Sequence, residues 1–279
     1  MSRLALLVIS CLLFQNSFSQ FYFQDIVTAG ISSKNFQELK KNGVRKVAVT
    51  SIEPDGSETE DFGITQTVNA AANTLTTVTS SGITGSSILI TTFNAANLPT
   101  KIVDSTASTV NTVEYQYDNS GKLISLKSYS HQPDDTNHYT IREDHFFEYD
   151  AKGHLQRMLK VKDNYDTLAV VFVASDNGMP GEERWYKRNR KTETWYYYYD
   201  EGKRLTDVVR FNEIAKKMLP DYIFEYDTLG NMSQQTVVQP GTNFYRLWIY
   251  DYNEKGLKKS ETIFKKGKEQ EGRIIYSYE

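Results

Sequence analysis

The chain has 279 residues, with 32 Lys and Arg against 35 Asp and Glu, a formal net charge of −3, and 13% aromatic residues including 19 tyrosines. Charge so near balance leaves no electrostatic footprint for nucleic acid. A single cysteine, Cys11, excludes an internal disulfide framework.

Residues 1–19 read as a secretory signal peptide, with Arg3 as a minimal basic region, an apolar run from Leu4 to Phe14, and small residues Ser17 and Ser19 before cleavage at Gln20. The apolar run falls short of the ~20 residues that a bilayer core demands. The expectation is export to the periplasm, extracellular space or cell surface, with no membrane span after cleavage. Cys11 is followed by Leu12, Leu13 and Phe14, a poor context for lipid attachment. Its removal would leave no thiol for metal binding or nucleophilic attack, and loss of Arg3 would take the charge from −3 to −4.

Residues 20–46 form an N-terminal segment with one short helix, Asn35 to Lys41, opened by an Asn35/Glu38 capping pair and closed by Asn42-Gly43. Residues 47–112 are rich in Ser, Thr and Asn, and from Phe62 to Thr112 only Lys101 and Asp104 are charged. Leu75 to Thr79 and Ile88 to Phe93 alternate as strands do. This region reads as degenerate β or capping structure for the array that follows, with disorder as the alternative.

Residues 113–279 repeat one motif: aromatic, any, Tyr, Asp, two spacers, Gly, any, Leu. It appears as Tyr115-x-Tyr117-Asp118-x-x-Gly121-x-Leu123, Phe147-x-Tyr149-Asp150-x-x-Gly153-x-Leu155 and Phe224-x-Tyr226-Asp227-x-x-Gly230-x-Met232, with looser copies at Tyr250 to Leu257, Tyr197 to Leu205 and Phe172 to Gly178. A spacing near 26 residues suits two strands and two turns. Counting back from the Asp mark by one, three and five residues gives Tyr149, Phe147 and His145, or Tyr199, Tyr197 and Trp195, an aromatic face by the period-2 rule. Counting back by two gives Gln116, Glu148, Glu225 and Asp251, a solvated opposite face. Asp followed by Gly supplies turn chemistry. Each unit is therefore a β-hairpin, and the variable connections Gln132 to His138, Asp163 to Asp166, Arg188 to Thr192, Asn212 to Pro220, Gln239 to Asn243 and Lys265 to Glu271 all fall at the opposite end.

The Tyr-Asp-x-x-Gly-x-Leu motif resembles the YD repeat of Rhs proteins over residues 88–279, and that resemblance implies a spiralling β-sheet. The array has about eight units and lacks an Asp-Pro-x-Gly segment, so this would be a short, secreted bacterial type without a toxin domain. The expected fold is an all-β, antiparallel meander forming an open, curved or spiralling sheet with one short N-terminal helix. Its long edges invite self-association between chains.

Chemistry is sparse. There is no Gly-x-Ser-x-Gly elbow, and the four histidines, His131, His138, His145 and His154, lie within 24 residues. His145 and His154 fall at repeat positions with structural roles. His131 and His138 flank Asp134 and Asp135 in a loop better read as solvated than as a metal site. No cofactor or catalytic residue is expected. Trp185, Trp195 and Trp248 are candidate sugar-stacking residues, although Trp195 and Trp248 share the register of the core aromatics. The reading is a non-enzymatic binding or surface-assembly scaffold for an envelope protein or glycan, with a carbohydrate-binding module using the tryptophans and a carboxylate hydrolase as alternatives.

Overall fold

The structure, a computed structural model, describes residues 21–82, 85–133, 140–239, 242 and 244–279. The expected signal peptide with Cys11, and the loop residues Asp134, Asp135 and His138, lie outside the described residues. Helix α1 (Gln24–Lys41) precedes eighteen strands: β1 (Lys46–Ile52), β2 (Phe62–Asn69), β3 (Thr74–Ser81), β4 (Gly85–Phe93), β5 (Pro99–Ser105), β6 (Val110–Tyr117), β7 (Leu123–His131), β8 (Thr140–Tyr149) and β9 (Leu155–Lys162). Then follow β10 (Asp166–Ala174), β11 (Pro180–Lys187), β12 (Arg190–Tyr199), β13 (Leu205–Asn212), β14 (Lys217–Tyr226), β15 (Met232–Val238), β16 (Tyr245–Tyr252), β17 (Lys258–Lys265) and β18 (Glu269–Tyr278).

Every strand pairs antiparallel with its neighbours in sequence, and β1 pairs with β18 through a register running from Val47 opposite Tyr278 to Ile52 opposite Arg273. The sheet is thus a closed 18-stranded barrel, which corrects the expectation of an open, curved or spiralling sheet. The edges offered for self-association are paired to each other. Closure has a repeated local cause. Seven hairpins carry a register shift at one place, just before the Asp or its equivalent: Thr92/Phe93, Gln116/Tyr117, Glu148/Tyr149, Val173/Ala174, Tyr198/Tyr199, Glu225/Tyr226 and Asp251/Tyr252. A bulge bends its strand and increases local twist. Aligned along one rim, these bends turn the meander back onto its first strand.

The turns at that rim follow from the motif. Asp118 Oδ1 accepts from the backbone N–H groups of Ser120 and Lys122 at 2.8 and 2.9 Å, and Gly121 takes φ +82°. Asp150 and Asp227 make the same contacts in their own turns.

The aromatic face points into the barrel. Phe147, Phe172, Trp195, Tyr197 and Phe224 pack there with Phe21 and Phe23, and a second cluster joins Phe36 and Leu39 to Val47, Ile64, Phe93, Trp248, Ile263 and Ile274. The helix therefore bridges the two halves of the lumen. Its last turns reach the Asp-Gly rim: Lys40 Nζ donates to the side-chain oxygens of Asn73 and Asn97, both at 2.9 Å, and Phe36 stacks on Phe93 at 3.9 Å.

The helix is longer than the expected Asn35 to Lys41, and Asn35 is an interior residue of it. Its earlier turns contain Ile26, Val27, Gly30 and Ile31, weak helix formers that local propensity disfavours. Burial of Ala29, Ser33, Phe36 and Leu39 inside the barrel overrides that preference. Residues assigned to the degenerate region make strands β1 to β5 and enter β6.

Candidate functional site

Four strands and the start of α1 converge on a charged, aromatic junction in the lumen. Its centre is Glu183 of β11, 0% exposed. The carboxylate accepts the backbone N–H groups of Tyr22 and Phe23 at 2.8 and 2.9 Å, the Trp185 indole N–H at 2.6 Å and the Tyr197 hydroxyl at 2.5 Å. Phe23 occupies the N-cap position and supplies no side-chain cap. A carboxylate 160 residues away in sequence satisfies the first donors of the helix and complements the positive end of its dipole. Burial pushes the Glu183 carboxyl up to about 7, an effect opposed by the hydrogen bonds from Tyr197, Tyr22, Trp185 and Phe23.

Beside it, His145 of β8 is held between two carboxylates, with Nδ1 2.6 Å from Asp25 Oδ2 on α1 and Nε2 3.0 Å from Glu143 Oε1. Burial alone would lower the imidazole, but the charge on Asp25 and hydrogen bonds to Asp25 and Glu143 raise it to about 9. Burial would raise Glu143, yet hydrogen bonds from His145 and Lys160 hold it down at about 2. Lys160 Nζ lies 2.7 Å from Glu143 and 5.3 Å from the Tyr22 ring centroid. Tyr22 meets His145 edge-on at 5.2 Å and lies 4.8 Å from Trp185. Farther round, Arg210 covers the Trp195 ring at 4.7 Å and pairs with Glu193 at 2.9 Å.

This arrangement clamps the N-terminal segment to the wall. Both nitrogens of His145 are taken by carboxylates, so neither is offered to a nucleophile or a substrate proton. Glu183 spends its oxygens on four donors of the fold. Among the described residues, no three or more His, Asp or Glu converge as metal ligands.

The three tryptophans all point into the lumen. Trp195 is 0% and Trp248 7% exposed, and Trp185, half-buried, lies against Tyr22 and 6.3 Å from Trp195. Trp185 and Trp195 come together, while Trp248 belongs to the other half of the core. Trp195 and Trp248 present no ring face to solvent. His154 sits in its repeat turn, 3.2 Å from Asp150 Oδ2, and Asp163 is a turn residue whose carboxylate accepts the Arg142 backbone N–H at 2.9 Å. Sequence reading missed Glu183, Asp25 and Glu143. The available signal was one acidic residue on an inward row, opposite Trp195 in the β11–β12 register.

Outside, the wall carries charge towards mid-strand, Glu182 with Arg184, Lys101 with Glu114 and Arg142 with Asp144, and Glu148 with Arg157 nearer the Asp-Gly rim. At the rim opposite the Asp-Gly turns, the connections are irregular. Asp163, Asn164, Arg188, Asn189, Lys216 and Lys268 adopt positive φ there.

No family model matches the chain, and none of the curated protein sequences matches it. Among solved structures, a porin-like protein from Bacteroides uniformis is similar at 11% identity, covering 85% of this chain and 98% of that one with a TM-score of 0.37. The Tc holotoxin pore of Photorhabdus luminescens is similar at 10% identity and TM-score 0.30, and the TcdB2-TccC3-Cdc42 complex at 11% and 0.21. This chain spans 17% of the length of each of those two toxin chains. At these identities and scores, none of the three says what this chain does.

Proposed function

We propose that the protein is an exported, non-enzymatic barrel in the periplasm or at the cell surface, serving as a binding or assembly scaffold for an envelope protein or glycan. The observation that carries this reading is the division of labour along the barrel axis. At one rim the repeat turns and the end of α1 are tied together by Lys40, Asn73 and Asn97, and the aromatic lumen is filled by the chain's own Phe21, Tyr22 and Phe23. The opposite rim is built from connections that differ in length and residue type, the property expected of a recognition surface on a rigid scaffold. Export is supported by the sequence of residues 1–19. A water-facing wall is supported by its mid-strand charges, which a membrane barrel's apolar outer band of ~25 Å would not contain.

The test is binding of the purified protein to arrayed envelope polysaccharides and to envelope protein extracts. It is run beside a variant in which the connection Asn212 to Lys216 is shortened to Asn-Gly. Saturable binding weakened in the folded variant supports the reading. Binding unchanged by any alteration of that rim, or turnover of a glycan lost on replacing one carboxylate, rejects it.

A further inference from the structure

We propose that the outer face of β2–β5 is a self-association surface through which two copies of this chain form a weak, reversible dimer. Elsewhere on the wall, outward charges such as the pairs Glu148 with Arg157 and Glu182 with Arg184 interrupt apolar residues such as Phe146 and Ile275. On β2–β5 the outward residues are mostly hydroxyl-bearing or aliphatic, with Gly63 and Asn69 among them and Lys101 as the charged residue of the row. Val78 and Ile88 are direct cross-strand partners, Ile90 lies opposite Val103, and Thr65 and Thr76 flank them. Val78, Ile88 and Ile90 are 42, 45 and 39% exposed. Lys101, the charged residue at the margin, is engaged by Glu114 at 3.2 Å.

The chemistry of the face selects its occupant. Depletion of charge around an aliphatic centre, with a hydroxyl rim, is the composition of the core of a protein interface. A glycan would be met by aromatic rings and carboxylates, and an anionic membrane by basic residues. This face has neither. A second copy needs nothing else, because an uncharged surface is complementary to itself in a two-fold contact. No charge on this face opposes a like charge on the second copy, so the only electrostatic cost is the small net charge of the whole chains. With strands ~4.8 Å apart and outward residues ~6.8 Å apart, each outward residue covers about 33 Å², and about a dozen of them give about 400 Å² per copy. The pair would bury about 800 Å², below the ~1,200 Å² of stable complexes. The wall is also convex, so contact centres on the line from Val78 through Ile88 to Ile90. Both facts make the association weak, with a dissociation constant between micromolar and millimolar.

The experiment is sedimentation velocity of the purified protein from about 10 to about 1,000 µM, spanning the weak-association range. Ile88→Lys, Thr76→Lys and the far-wall control Phe146→Lys are run alongside, each checked for folding by circular dichroism. The expected result is a monomer–dimer shift with concentration, weakened at least about tenfold by Ile88→Lys and Thr76→Lys and unchanged by Phe146→Lys. Thr76→Lys keeps the test decisive if Ile88→Lys fails to fold, because it places the charge beside Ile90 without removing an aliphatic side chain. A monomer at the highest concentration, or a dimer indifferent to both lysines, overturns the proposal.

Discussion

The Tyr149 hydroxyl donates to the carbonyl oxygen of Leu123 at 2.8 Å, tying the aromatic strand of one hairpin to the return strand of the hairpin before it. Tyr117 to Pro99, Tyr199 to Pro180, Tyr226 to Leu205, Tyr252 to Met232 and Tyr278 to Lys258 repeat the bond at 2.6 to 2.9 Å. It occurs beside the bulge, where a shifted register leaves a carbonyl to be satisfied. This explains why six units keep Tyr before the Asp position while Phe147 and Phe224 serve two residues earlier; the bulged units at Phe93 and Ala174 form without the hydroxyl. Burial, followed by the charge on Asp118, pushes the Tyr149 phenol up to about 12, so it stays a donor at physiological pH.

Tyr149→Phe and Tyr226→Phe should each lower stability by about 0.5 to 1.5 kcal/mol, the net worth of a buried hydrogen bond. The two sites lie on well-separated strands, so the double variant should show the sum. Urea unfolding followed by tryptophan fluorescence measures both.

Trp195→Ala should cost about 3 to 5 kcal/mol, because it opens a large cavity in a packed lumen and removes the ring beneath Arg210. The readout is the unfolding midpoint. A loss below about 1 kcal/mol would mean that the indole is not part of the core. Loss of glycan binding in this variant would report unfolding unless its fold were verified.

Stability should fall in two stages as pH rises. Glu183 is raised from 4.5 to about 7, so the folded state binds its proton more tightly than the unfolded chain does. Its contribution is full below about 4.5 and lost as pH rises through about 7. His145 is raised from 6.5 to about 9, so its contribution is full below about 6.5 and lost as pH rises through about 9. Thermal melts from pH 4 to 10 should lose the lower stage in Glu183→Gln and the upper one in His145→Gln. Glu143, held at about 2, works in the opposite sense and withdraws its support as pH falls from 4.5 towards that value.

Lys203 occupies φ +61° in the turn where other units place Gly, as Gly153 does at +83°. Lys203→Gly should stabilise the protein by up to about 1 kcal/mol by relieving a left-handed non-glycine backbone. Gly153→Ala should do the reverse, because φ +83° strains any residue with a Cβ, while the 2.2 Å approach to Lys122 Nζ is relieved by movement of that flexible side chain. Paired denaturation curves give both signs.

The local unit is determined by sequence alone. The alternation of Tyr149, Phe147 and His145 with Glu148 sets which face turns inward, and Asp150 with Gly153 sets the turn, because both depend on neighbours within a few residues. Closure was not legible. An aromatic-faced meander makes an open spiral or a ring with the same local pattern, and the choice lies in seven aligned bulges and in the β1–β18 pairing across more than two hundred residues. The helix start was hidden for the same reason, since its cap is Glu183 on a distant strand. Trp195 and Trp248 stand on the inward row that period 2 assigns them, and Trp185 joins them there, but only the tertiary structure decided whether that row met solvent. The chain's own Phe21 and Tyr22 cover Trp195 and Trp185, because a lumen lined with rings excludes water most completely when it is filled.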